Sequence, residues 1–126
     1  ALSKKLGADC VELHTGKYCN LFNKKKKIKN EFSRIKKSAF YAEKVFLKVH
    51  AGHGLTYKTA YLISKINTIS EFNIGHFIIG ESIFDGLSKV IKNLKKIIMN
   101  KKKKIFIYSF DYYLTNFLTF LIKKKI

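Results

Sequence analysis

Three short stretches of the chain alternate apolar and polar residues. Val11 and Leu13 oppose Glu12 and His14, Leu47 and Val49 oppose Lys48 and His50, and Phe72 and Ile74 oppose Glu71 and Asn73. A period of two predicts three strands. Between the first two, Ile28, Phe32, Ile35, Ala39 and Ala42 recur at three- and four-residue steps, the apolar stripe of a helix. Lys29, Arg34, Lys36 and Lys37 fall on its opposite side, read as a solvated face. Thr56 is placed as an N-cap, and Tyr57, Ala60, Tyr61 and Leu62 begin a short helix ending near Ile66. A longer helix is expected from about Phe77, with Ile79, Ile83, Leu87, Val90, Ile91, Leu94 and Ile98 buried and Lys89, Lys92, Lys95 and Lys96 turned away. Strand and helix alternating three times imply right-handed crossovers and a parallel sheet. Parallel strands are usually apolar on both faces, so polar residues at alternate positions on all three point to the polar interior of a β/α barrel. An antiparallel sheet with one wet face would share the alternation, but the helices between the strands argue against it.

From residue 101 the character changes. Lysines at 101–104 precede an 18-residue apolar stretch, 105–122, broken by Ser109, Asp111, Thr115, Asn116 and Thr119 and closed by three more lysines. Its length is the lower limit for a membrane span, and Asp111 near its middle is costly in a bilayer. A packing helix and translated non-coding sequence stand beside the span as readings of this tail. Residues 101–126 are therefore set apart, as a Lys-flanked apolar tail, from residues 1–100.

The strand ends carry the candidate chemistry. The second strand runs into Gly52-His53-Gly54 and the third into Gly75-His76, and each turn opens a helix. Glycine lets backbone N–H groups approach a ligand, a helix N-terminus favours an anion, and histidine exchanges protons near neutral pH. Two such turns in succession suggest one catalytic face built to hold a phosphate. For His14, on a strand, a structural and a chemical role fit equally well. No His/Cys spacing of a zinc site is present, and no metal is expected.

Composition changes the picture little. A chain of 126 residues has the length of one small domain. It opens on Ala1 in what reads as the end of a helix, with no secretory signal before the first motif, so a segment of a longer cytosolic protein is expected. Cys10 and Cys19 have neither metal-site spacing nor disulfide density, and both are read as reduced thiols. A net charge of +18 would ordinarily suggest nucleic acid or an anionic membrane surface. Yet among 26 basic residues only Arg34 is arginine, the side chain suited to bidentate phosphate and base contacts. Enrichment in Lys, Ile, Asn, Phe and Tyr, all with AT-rich codons, is read as base composition acting on tolerant surface positions. Nucleic acid and membrane are thus not the expected partners.

Three blocks then carry a family resemblance. Gly7-Ala8-Asp9-Cys10-Val11-Glu12-Leu13-His14-Thr15-Gly16-Lys17-Tyr18, Leu47-Lys48-Val49-His50-Ala51-Gly52-His53-Gly54-Leu55-Thr56-Tyr57 and Glu71-Phe72-Asn73-Ile74-Gly75-His76 resemble pyridoxine 5'-phosphate synthase, in that family's order and spacing. The resemblance covers residues 1–100 and implies an α/β fold, the eight-unit (β/α)8 TIM barrel, of which this chain supplies the last three units. It implies vitamin B6 biosynthesis by a transferase that condenses 1-deoxy-D-xylulose 5-phosphate with 3-amino-2-oxopropyl phosphate, using no cofactor. The role of catalytic proton donor carries onto His53, and contacts to the amino-ketone phosphate onto Gly54, Gly75 and His76. Implied partners are phosphorylated small molecules, the missing N-terminal part of the barrel, and further copies in a homo-oligomer. The family's two general bases and its deoxyxylulose-phosphate site fall on earlier strands. Two positions depart from the pattern: His50 replaces the usual Asn, and Glu81 a basic residue. The larger ring at 50 is expected to crowd the site's mouth or alter the charge beside His53. The competing reading is a basic nucleic-acid-binding or membrane-surface module in which the Gly-His turns are only structural.

Overall fold

Alternation becomes parallel pairing in the computed structural model, which describes residues 2–98 and 104–106. A short helix α1 (Leu2–Lys5) leads into β1 (Cys10–His14), followed by helices α2 (Gly16–Asn23) and α3 (Lys29–Lys44). Next come β2 (Lys48–Gly52), α4 (Tyr57–Ser64), β3 (Ile69–Asn73), α5 (His76–Asp85), α6 (Leu87–Ile97) and β4 (Lys104–Phe106). The strands lie in chain order, β1-β2-β3-β4, and every neighbouring pair is parallel. The antiparallel alternative is thereby set aside.

One face of the sheet is dry. Val49, Ala51, Ile69 and Phe72 are buried with Ile35 and Ala39 of α3, Ala60 and Ile63 of α4, Ile78 of α5, and Val90 and Leu94 of α6. Each fully buried aliphatic side chain contributes about 1.5–3 kcal/mol, so this layer is what holds the strands in place. Truncating Phe72, fully buried, to alanine should cost about 3–5 kcal/mol. The alternate positions Glu12, His14, His50, Glu71 and Asn73 remain at least partly accessible.

Four details differ from the expectation. First, β3 begins at Ile69 rather than at Glu71, because the β2–β3 register shifts: Val49 pairs with Ile69, but His50 pairs with Glu71. Ser70 is the extra residue, and its hydroxyl donates to the Val49 carbonyl at 3.1 Å. The bulge lets Ile69 and Phe72 both face the core, which breaks the alternation at that point. Second, the expected long helix is two, separated at Gly86, whose φ of +78° no helix accommodates. The break resets the phase of the stripe, so Ile78 is buried while Ile83 is exposed. Lys89 and Asp85 bond across it at 2.7 Å. Third, Arg34 is not simply a solvated charge. Its Nε donates to Glu31 at 2.7 Å and its Nη2 to the His14 carbonyl at 3.3 Å. Burial alone would raise the Glu31 carboxyl, but the bond from Arg34 and the nearby Lys17 hold it below the usual glutamate range. This network ties α2 and α3 to the end of β1. Fourth, β4 comes from the segment beyond residue 100, where no strand is expected. Ile105 and Phe106 lie in β4, and the rest of the stretch read as a span, packing helix or non-coding sequence lies outside the described residues. No described helix is long and apolar enough to cross a membrane. Cys10 is exposed, Cys19 is buried, and both are free.

Candidate active site

Thr15 and His53 each follow the last residue of a strand, and each is held by the other. The Thr15 N–H donates to the Gly52 carbonyl at 2.8 Å, extending the β1–β2 ladder by one bond. Its hydroxyl lies 2.7 Å from both the Gly52 and the His53 carbonyls and donates to them in a shared bond. Thr15 is fully buried, so water does not compete for these contacts. The clamp holds His53 at φ +76°, a left-handed conformation that costs a non-glycine residue on the order of 1–3 kcal/mol. Cys19 supports it from below, with Sγ 3.8 Å from the His53 carbonyl. Burial pushes the Cys19 thiol up, against smaller lowering by the Thr59 and Thr15 hydroxyls, so it packs as a thiol rather than serving as a nucleophile.

The His53 ring stacks on that of His14, with centroids 4.3 Å apart and planes at 27°. Both rings rest on Gly16, the first residue of α2. A Cβ there would stand 2.6 Å from His14 Cε1 and from His53 Cδ2, so only glycine leaves room for the stack.

The second turn is built differently. Gly75 caps α5 with no side-chain bond, and His76, the first helical residue, is exposed. Beside it starts α4, where the Thr56 N–H donates to Thr59 Oγ1 at 2.8 Å. Tyr57 and Phe77 meet edge to face at 4.7 Å and 90°, a contact worth about 0.5–1.5 kcal/mol beyond burial, which sets the two helix starts side by side. Between the turns lies a cleft of about 500 Å³ lined by Glu12, Asn73, His53, Gly54, Thr56, Gly75 and His76, among others.

The four residues singled out from the sequence, His53, Gly54, Gly75 and His76, thus surround one cleft. Glu12 and Asn73 were not singled out. Asn73 Nδ2 donates to Glu12 Oε2 in a short bond, while Asn73 Oδ1 is buried without a partner. The Glu12 carboxylate occupies the space a side chain on Gly52 would fill. Their positions on the polar side of β1 and β3 were the available signal. His14 joins the site through its stack rather than through the cleft lining. His50 does not sit at the mouth as expected: it lies mid-strand, with Nδ1 3.2 Å from Glu71 Oε1 and both side chains 17% exposed. Glu71, its register partner on β3, is therefore the group it faces. Glu81, half-buried in α5, does not line the cleft. Among the described residues no three His, Cys, Asp or Glu side chains cluster so as to hold a metal ion.

Parallel strands in chain order, intervening helices and a cleft at the carboxyl ends of the strands make this an α/β fold. The chain belongs to the family of the pyridoxal phosphate biosynthesis protein PdxJ, whose model matches residues 1–100. It is 55% identical to a pyridoxine 5'-phosphate synthase of Pelagibacter ubique over 96 residues, 76% of this chain and 40% of that one. It is 48% identical over 102 residues to the synthase of a Sulfurihydrogenibium species, covering 81% and 41%. With the synthase of Ehrlichia canis it shares 46% over 97 residues, covering 77% and 39%. The chain therefore spans about 40% of the length of the curated relatives it matches.

Proposed function

We propose that this chain is the last three β/α units of a cytoplasmic pyridoxine 5'-phosphate synthase, joining 1-deoxy-D-xylulose 5-phosphate to 3-amino-2-oxopropyl phosphate. In this reading His53 donates protons, and the backbone N–H groups of Gly54, Gly75 and His76 hold the phosphate of the amino ketone. Condensing an amine with a carbonyl expels water, and the departing hydroxyl needs a proton delivered at a fixed place. The clamped turn supports His53 for that task. An anion held by backbone N–H groups at a helix start needs no lysine. The observation that carries the reading is the convergence of the clamped His53 turn and the uncapped start of α5 on one cleft. The second substrate and the general bases belong to the remainder of the barrel, and the finished enzyme is a homo-oligomer.

The test is a chimera in which residues 1–100 replace the corresponding part of an intact relative. It should form pyridoxine 5'-phosphate from the two substrates. A chimera that folds and binds both phosphates yet makes no product would overturn the assignment.

A further inference from the structure

We propose that β4 holds the place of the strand that would close the barrel, so that the edge of β3 becomes the docking edge for the rest of the enzyme once β4 is released. This rests on the reading of the chain as a barrel segment. A strand edge can pair with only one neighbour. On the outer edge of β3 that neighbour is β4, in parallel register: Glu71 with Lys104, Phe72 with Ile105, Asn73 with Phe106. The match to the family stops at residue 100, so this strand lies outside the part shared with the relatives. Those relatives are more than twice as long as the matched segment, and a parallel barrel closes only when its first and last strands pair. The last matched strand is β3. Its partner in a closed barrel must come from the other polypeptide segment, parallel to β3, where β4 now lies.

The occupant is suited to a provisional role. Ile105 is half-buried and packs against the core, so β4 shields a sheet edge that would otherwise recruit foreign strands. Only three residues pair, at the short end of strand lengths, so displacement breaks few ladder bonds. The opposite edge, β1, has β2 as its one neighbour among the described strands, leaving a first contact available to the incoming segment. Because Phe106 is the register partner of Asn73, which lines the cleft, the strand replacing β4 would enter beside the site. Closure and completion of the site are then one event. The occupied edge lowers the apparent affinity for the complement by the fraction of chains in which β4 is released.

The experiment uses the full chain and, as a separate polypeptide, the five N-terminal β/α units of an intact relative. In a Cys10→Ser background, Glu71→Cys and Lys104→Cys place thiols on register partners, and oxidation locks β4 to β3. Ile105→Asp loosens β4 in a second variant. Locked chain should bind the complement at least about tenfold more weakly than the same chain reduced, with no product formed, and the Ile105→Asp chain should bind it about tenfold more tightly than the unaltered one. Failure of the disulfide to form, or equal binding and turnover in the locked and reduced states, overturns the proposal while leaving the barrel-segment reading intact. If no form of the chain, Ile105→Asp included, binds the complement or yields product, the barrel-segment reading falls and takes the proposal with it.

Discussion

The two Gly-His turns look alike in the sequence and are built on opposite principles. At the first, a buried threonine, a carbonyl clamp, a left-handed backbone and a stacked imidazole fix one side chain. At the second, the histidine, exposed like His53, opens a helix whose start has no side-chain cap. Strain is maintained at the first turn by a fully buried hydroxyl, and none is needed at the second. On the roles proposed above, the difference is a division of labour. A group that must move a proton has to be aimed, whereas a phosphate cradle needs only free N–H groups and room.

The sharpest way to break this comparison is to treat both histidines alike in the chimera. His53→Asn keeps a polar side chain of similar size but removes a titrating proton, so turnover should fall by roughly 10²- to 10⁴-fold with substrate binding little changed. His76→Asn keeps its backbone N–H, and turnover should fall by less than about tenfold. Steady-state kinetics on the two variants decides. Equal losses would mean that the turns share one role.

Next in size is the backbone of the second turn. Gly75→Val should obstruct approach of the phosphate and raise KM for the amino-ketone phosphate about 10- to 100-fold, the loss of one or two charge-assisted bonds, with kcat nearly unchanged. A fall in kcat at constant KM would assign this turn to the chemical step instead.

Smaller again is the clamp itself. Thr15→Val keeps the shape but removes the hydroxyl from the Gly52 and His53 carbonyls. The chimera should lose about 1–3 kcal/mol in urea denaturation. With His53 free to leave its geometry, kcat should drop about tenfold while KM holds. Unchanged kcat alongside the stability loss would show that the clamp serves the fold alone.

How much of this was legible follows from which facts are local. Strand alternation is local, and so is a Gly-His turn, so three strands and the four residues around the cleft could be read from the chain. Thr15 could not, because its partners at Gly52 and His53 are fixed by the β1–β2 register, which no local pattern states. Glu12 was placed on the polar face, but its bond to Asn73 spans 61 residues and crosses β2. The Ser70 bulge disguised the start of β3 by putting Ile69 and Phe72 on one face. The helix break was legible in principle, since Asp85-Gly86 is a turn dipeptide inside an otherwise continuous stripe. Three residues of β4 beside a lysine run offered no period to count.

The smallest effect is expected beneath the first turn, at Tyr18 in α2. Its phenol is fully buried, its oxygen has no hydrogen-bond partner, and burial, with a lesser contribution from Cys19, pushes its pKa up to about 12. The ordinary value is about 10, so the folded state favours the protonated form. The stability this represents is complete below the unfolded value and is lost as pH rises through about 12. Tyr18→Phe removes a hydroxyl that bonds to nothing while keeping the ring's contacts with Phe22 and Phe32. At neutral pH the chimera should keep its stability or gain up to about 1 kcal/mol. Between about pH 10 and 12 its stability should decline less steeply than that of the unaltered chimera, since the lysines titrate in both and cancel in the difference. Turnover should not change, because Tyr18 lies under the clamp rather than in it. Should Tyr18→Phe cost as much turnover as Thr15→Val, the aiming of His53 would be a property of the whole α2 core, and the contrast between the two turns would no longer be local.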